Sequence, residues 1–219
     1  MSRWFLLAGG LGLSVVVVAC ASRGDAEETT SGQAIVDGAD ARAYEEAALV
    51  DIERGGVVQG ACSGAILAPR VVLTAGHCIV GGTGWRITAP YAGAQTGRST
   101  KGLTFDYTET GNFVNPNQHD VGLVVLPAPI TLKRYPRIAR APMAASASVV
   151  NVGRIQDGRL SSTNLFASAP TRLAAGDGYG FPFAYVATEV IQPGDSGGPD
   201  FLNAPGDHVI VAVNSGAGG

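Results

Sequence analysis

The sequence is short of charge, of cysteine and of long apolar runs, and each shortage removes a class of protein. Charged residues make up 15% of the 219, with 15 Lys and Arg against 18 Asp and Glu, for a net charge of −3. No basic patch stands out, so a nucleic-acid partner is not expected. The longest apolar run, Trp4 to Val18, has 15 residues, where a membrane-spanning helix needs about 20. Helical periodicity is weak, and no internal repeat is visible at residue level. Glycine is plentiful instead, at 31 residues, with 12 prolines punctuating short strand-like runs. That pattern favours an all-β fold. The length suffices for one large β unit or two small barrels with real cores.

There are only three cysteines, Cys20, Cys62 and Cys78. Residues 1–19 read as a secretory signal, with Arg3 ahead of the apolar run. The run ends in Val17-Val18-Ala19-Cys20, which resembles a bacterial lipoprotein signal and implies acylation of Cys20. An ordinary signal cut nearby, or a single-span anchor, is the alternative. Export implies an oxidising compartment, where Cys62 and Cys78 can pair and Cys20 is left over. Residues 20–34 are small, polar and acidic and read as a flexible tether. The folded part is expected to begin at Ile35.

Chemistry concentrates first in Gln192-Pro-Gly-Asp-Ser-Gly-Gly-Pro199. A serine hydroxyl becomes a useful nucleophile only when a base takes its proton and donors receive the charge developing on the substrate. Glycines beside Ser196 let the backbone turn so that the N–H groups of Gly194 and Ser196 face one small space, an oxyanion hole. The same residues also suit a plain turn. They fit the G-x-S-x-G pattern of α/β-hydrolases too, but only His208 follows Ser196, too close for the intervening acid of that order.

A base is offered upstream, in Leu73-Thr-Ala-Gly-His-Cys78. A cysteine next to His77, tied to Cys62 on a neighbouring strand, would hold the ring rigidly; the 16-residue separation closes a loop worth about 3 kcal/mol. In His119-Asp-Val-Gly-Leu-Val-Val-Leu126, Asp120 sits at the mouth of a buried apolar strand. A carboxylate so placed needs donors, and an imidazole N–H is a natural one. Asp120 could equally cap a strand start. His119 reads as an exposed turn residue.

These three motifs, in the order histidine, aspartate, serine, resemble the signatures of the chymotrypsin/trypsin-like serine proteases and not those of subtilisins or α/β-hydrolases. The resemblance runs from Ile35 to the end. It implies two antiparallel six-stranded β-barrels with the site in the cleft between them: residues 35–130 form the first, 131–142 connect, and 143–219 form the second. It also implies peptide-bond hydrolysis with Ser196 as nucleophile, His77 as base and then acid, and Asp120 as the orienting acid, with no metal or cofactor. Ile35-Val-Asp-Gly38 resembles the family's mature N-terminus, whose freed amine would pair with Asp195. Ala34 precedes it, so a trypsin-like activator is not indicated, and Ile35 and Val36 could simply open a strand.

The chain departs from the family in three places. The position expected to read a substrate side chain falls on Val190, so a preference for basic residues is not supported, although Glu189 next to it would supply one if the register shifts by one. Gln192 stands where a pocket-bracing cysteine is common. Val211-Ala-Val-Asn-Ser-Gly216 resembles the strand that pairs with substrate backbone, placing Asn214 and Gly216 on the pocket with Val190 and Gln192. The further wall strand and closing helix of the family are not found after it, so either the sequence is truncated or the second barrel is incomplete. The expectation is therefore a monomeric, exported endopeptidase acting on protein or peptide, touching membrane only through a lipid at Cys20. A protease-fold binding module without catalysis is the alternative, and an esterase of another fold is a distant third.

Overall fold

In a computed structural model of the chain, residues 38–108, 114–144, 146–188 and 191–216 are described. Cys20, Ile35, Glu189 and Val190, together with the signal and tether segments, lie outside them. Strands dominate, joined by one 3₁₀ turn at Asp177–Tyr179, and there is no α-helix among the described residues. The first half supplies β1 (Ala39–Asp40), β2 (Ala47–Arg54), β3 (Val57–Ala68), β4 (Val71–Thr74), β5 (Gly84–Ala89), β6 (Gln95–Ser99), β7 (Gly102–Thr104) and β8 (Gly122–Val125). The second supplies β9 (Arg137–Ile138), β10 (Ser148–Gly153), β11 (Ile155–Gln156), β12 (Arg159–Leu160), β13 (Phe166–Ala167), β14 (Thr171–Ala175), β15 (Tyr185–Ala187), β16 (Pro199–Leu202) and β17 (Val209–Val213).

The first sheet runs β6-β5-β2-β3-β4-β8-β7, antiparallel at every pairing. Only Thr100 and Lys101 separate β6 from β7. The Ser99 hydroxyl donates to the Val125 carbonyl at 2.5 Å, and the Val125 N–H donates to the Lys101 carbonyl at 2.9 Å. Both ends of the sheet are therefore one bent strand, and the sheet closes into a six-stranded barrel. Closure removes the exposed edges that an open sheet would present.

Alternation along the strands builds two cores from one sheet. Ala48 and Val50 of β2 point into the barrel with Ile66, Val72, Trp85, Ile87 and Val124. Their neighbours Ala47 and Leu49 point the other way and join Ala65, Leu73, Val150, Val152, Phe201 and Ile210 in a second cluster against the second sheet. That double burial is why Ala47 to Val50 reads as a continuous apolar run rather than an alternating one.

In the second sheet β10 is central, flanked by β16 on one side and by β13 and β14 on the other; β17 follows β16, and β15 follows β14. No described strand bridges β15 to β17, and over the described residues this sheet is a half barrel. The two-barrel, all-β expectation holds in this form. Two short strands fall outside the expected partition. β1 pairs with β13 of the second sheet, and β9, within the connecting segment, runs parallel to β17 at Val209 and Ile210.

The inner face of the open sheet carries a polar line. Asn151 and Asp200 are register partners. Asn151 Nδ2 donates to Asp200 Oδ1 at 2.9 Å and to Asn214 Oδ1 at 2.5 Å, while its own Oδ1 has no partner among the described residues. Burial pushes the Asp200 carboxyl up to about 6, with the Asn151 hydrogen bond working against it. A carboxyl raised in the folded state favours folding when protonated. Its contribution is therefore complete below the unfolded value of about 4 and is lost as pH rises through 6. Asp200→Asn is expected to raise stability by about 2 kcal/mol at pH 7.5 and to leave it nearly unchanged at pH 4. Urea unfolding midpoints at the two pH values check this.

Candidate active site

His77 lies in the turn after β4 and is held from three directions. Its backbone N–H donates to Asp120 Oδ1 at 2.8 Å, and its ring Nδ1 bonds Asp120 Oδ2 at 2.7 Å. The neighbouring Cys78 forms a disulfide with Cys62 of β3, the Cα atoms 6.4 Å apart. The Trp85 indole N–H caps the Cys78 carbonyl at 2.9 Å. Gly76 is required because a Cβ there would fall 2.8 Å from Tyr107 Cβ and 3.0 Å from Asp120 Oδ1.

Asp120, just before β8, is buried, its side chain 4% exposed. Its Oδ2 also accepts the Ser215 hydroxyl at 2.6 Å. Burial pulls this carboxyl upward, but the hydrogen bonds and charge of His77, with the Ser215 hydroxyl, outweigh it, and the group titrates below its ordinary range. A charged acid fixed on Nδ1 leaves the other ring nitrogen as the one able to take a proton.

The serine loop is mounted on the first barrel as well as the second sheet. The Ser63 N–H donates to the Ser196 carbonyl at 2.8 Å, and the Ser63 hydroxyl donates to the Gly194 carbonyl at 2.9 Å. The Thr74 hydroxyl in turn donates to the Ser63 carbonyl at 2.8 Å. Within the loop, Asp195 N–H donates to Gln192 O, Gly197 N–H to Asn214 O and Gly198 N–H to Asp195 O. The amides of Gly194 and Ser196 have no acceptor among the described residues. Gly194 has φ 121° and Gly197 φ 79°, a region in which other residues are strained. A Cβ on Gly197 would also lie 2.1 Å from Thr74 Oγ1. No hydrogen bond joins Ser196 Oγ to the His77 ring among the described residues; such bonds are often long before substrate arrives.

Asp195 is fully buried. Its Oδ1 accepts the Ile155 N–H at 2.9 Å and its Oδ2 the Gln192 N–H at 3.1 Å. Burial pushes its carboxyl up, opposed by those amides and by Arg154. Its expected partner Ile35 lies outside the described residues.

Of the pocket residues, Gln192 opens the serine loop and Val190 is not described. Gly216 packs against Val114, since a Cβ there would meet Val114 Cγ2 at 2.8 Å. Asn214 differs from expectation. Its side chain turns into the sheet interior, 6% exposed, bonded to Asn151 and donating to the Asp195 carbonyl at 3.1 Å. From the segment just after β17, the residue reaching the site is Ser215, which no local motif marks. His119, expected as an exposed turn residue, repeats the His77 pattern. Its N–H and Nδ1 both bond Asp106 at 2.8 Å, and its ring stacks on Phe183 at 4.3 Å. Cys62, His77 and Cys78 form the one cluster with metal-ligand types among the described residues. Both of its sulfurs are committed to the disulfide, so it does not fit a metal.

Comparisons with known proteins bear on the fold and the family. HL collagenase has the same fold at TM-score 0.68 and 16% identity, over 84% of this chain and 87% of that one. A scabies mite inactivated protease paralogue aligns at TM-score 0.64 and 17% identity, over 81% and 83%. A mutant of human heparin binding protein aligns at 0.59 and 21%, over 84% and 85%. At such identities the likeness speaks for fold alone. No curated protein matches the chain. The family profile described as Trypsin covers residues 35–219, and on that match the chain belongs to the trypsin family.

Proposed function

We propose that the protein is a serine endopeptidase in which Ser196, His77 and Asp120 act together. The observation that carries this reading is the buried Asp120, which fixes His77 through both its backbone N–H and ring Nδ1 and takes the Ser215 hydroxyl as well. A carboxylate that accepts both the backbone N–H and the ring of one histidine fixes the orientation of that ring.

Ser196 Oγ attacks the scissile carbonyl carbon as the ring nitrogen not held by Asp120 takes the hydroxyl proton. The oxyanion forms against the N–H groups of Gly194 and Ser196. Collapse of the tetrahedral intermediate breaks the C–N bond, and the same imidazole passes its proton to the departing amine. Water repeats the sequence on the acyl-enzyme, with the proton going to His77 and returning to Ser196 Oγ.

The mature chain is proposed to be exported and anchored by a lipid on Cys20, working as a monomer on protein or peptide. A fluorophosphonate probe applied to membrane and soluble fractions tests both parts. The wild type should label, and label in the membrane fraction while Cys20 is retained. Ser196→Ala and His77→Ala should not label. A folded wild type that stays unlabelled overturns the protease reading.

A second reading is a non-catalytic binding module. It is favoured by the close approach of Val114 to Gly216 and by the inactivated protease paralogue that shares this fold. It predicts partner binding at the cleft that is indifferent to Ser196→Ala.

A further inference from the structure

Alternation along the second sheet leaves a polar group on its inner face. Val150, Val152 and Phe201 turn into the core shared with the first barrel, so Asn151 and Asp200 point the other way. The two are register partners on β10 and β16, and Asn214 joins them from the residue after β17. Asn151 and Asn214 are 1% and 6% exposed, and Asp200 is half-buried. An amide side chain carries two N–H hydrogens and one acceptor oxygen. Both hydrogens of Asn151 are placed, one on Asp200 Oδ1 at 2.9 Å and one on Asn214 Oδ1 at 2.5 Å. Its own Oδ1, also buried, accepts nothing among the described residues. An interior acceptor left so is costly.

A proton on Asp200 supplies the missing donor. A carboxylic acid and a carboxamide joined by one N–H···O bond close a second, from the acid O–H to the amide carbonyl, when the two groups share a plane. One proton then serves both the second oxygen of Asp200 and the Oδ1 of Asn151. The surroundings favour that proton. Burial and the Asn151 hydrogen bond are the two influences on this carboxyl, burial being the larger, and together they hold it at about 6. No charged group acts on it. The strands packed against it face it with Asn151 and with Ala212, its register partner on β17. Asp195, the acid of the serine loop, turns its carboxylate to the amides of Ile155 and Gln192 instead.

We propose that Asp200 and Asn151 form a neutral acid–amide pair that positions Asn214 against the serine loop. Asn214 meets that loop at three points. Its Nδ2 donates to the Asp195 carbonyl at 3.1 Å, its N–H donates to the Gly198 carbonyl at 2.8 Å, and its carbonyl accepts the Gly197 N–H at 2.7 Å. Asp200 and Asn151 are thus positioning residues, acting on the backbone around Ser196 through Asn214, and this link rests on the protease reading above. The pair is complete below the ordinary carboxyl value of about 4 and is lost as pH rises through about 6. Once ionised, the carboxylate draws the Asn151 amide to itself, since a charged acceptor holds a donor more tightly than a neutral one. The bond from Asn151 to Asn214 then weakens, and the grip on the loop with it.

Two variants test this. Asp200→Asn has the shape of the protonated acid and keeps the pair at every pH, whereas Asp200→Leu fills the space without a hydrogen bond. Fluorophosphonate labelling rates are compared with the wild type at matched pH, so that the titration of the catalytic imidazole cancels from each ratio. The ratio for Asp200→Asn is expected to rise from about one at pH 5 to about threefold at pH 8, the order of one neutral hydrogen bond. Asp200→Leu should fall below the wild type by about the same factor at pH 5. A residue that served packing alone would rank leucine with asparagine. NMR reads the pair directly. The side-chain NH₂ resonances of Asn151 should move with a midpoint near 6 in the wild type and stay still in Asp200→Asn. Resonances that hold still between pH 5 and pH 7, or that move equally in Asp200→Asn, overturn the pair. A labelling ratio that does not change with pH overturns its link to the serine loop. If the wild type does not label, intact or cut before Ile35, the protease reading falls and the NMR titration alone decides the pair. The wild-type titration also decides it where a variant fails to fold.

Discussion

Replacing Asp120 with asparagine is expected to lower kcat by about four orders of magnitude while the protein stays folded. The amide oxygen can still accept the His77 backbone N–H now bonded to Oδ1 at 2.8 Å. The amide nitrogen would then stand where Oδ2 accepts both the ring Nδ1 and the Ser215 hydroxyl. An NH₂ group cannot accept from either. The imidazole would keep its neutral form by moving the proton to the nitrogen that should receive one from Ser196, and the base would be lost without any change in shape. Steady-state turnover of a peptide or ester substrate, with circular dichroism to verify the fold, checks this. A loss below tenfold would remove Asp120 from the mechanism.

The second large effect is expected from the smallest change, Gly153→Ala. The added methyl would sit 2.2 Å from Asp195 Oδ1, 2.7 Å from its Cγ and 3.0 Å from its Cβ. Asp195 is buried on every side and cannot swing clear. Overpacking of this kind costs about 1–3 kcal/mol by itself, and a displaced carboxylate would also forfeit the Ile155 and Gln192 amides that now satisfy it. Because Asp195 lies between Gly194 and Ser196, the two unpaired amides would shift with it, and kcat should fall about 10²- to 10³-fold. Probe labelling and the urea midpoint report the two parts separately. Wild-type labelling in this variant would show that the 153–155 segment does not shape the serine loop.

Residues whose role lies in a short motif were readable in the chain. His77 with Cys78, Asp120 ahead of an apolar strand, and Ser196 among glycines each carry a local reason for being there. The Cys62–Cys78 pairing followed from export and from count. Val71–Thr74 and Val149–Gly153 carry strand-forming residues of their own, because one or both of their faces are buried. β6, with Gln, Thr, Gly and Arg in its five residues, gave no such signal, and neither did β14 or β16. Their place is set by the neighbours they pair with rather than by their own side chains.

The unread part of the site is non-local. Asn151 and Asn214 lie 63 positions apart, and nothing near either residue marks it as buried. Ser215 lies between Asn214 and Gly216, the two residues that the resemblance puts on the pocket, and a shift of one residue separates the two settings. With a period of two, such a shift exchanges the side chain facing Asp120 for the one facing Asn151. The polar sequence Asn214-Ser215 fits either setting, and only the pairing of β17 with β16 decides between them.

Cys62 and Ser63, adjacent on β3, each hold one half of the site. One residue is bridged to the turn that carries the imidazole; the other grips the loop that carries the hydroxyl at both Gly194 and Ser196. The two halves of the chemistry thus hang from a single beam of the first barrel, although one of them belongs by sequence to the second sheet. Shear between the sheets, of the kind that widens a groove to admit a polypeptide, would carry hydroxyl and imidazole along in step. Such a machine can breathe at its walls without losing its timing at the centre.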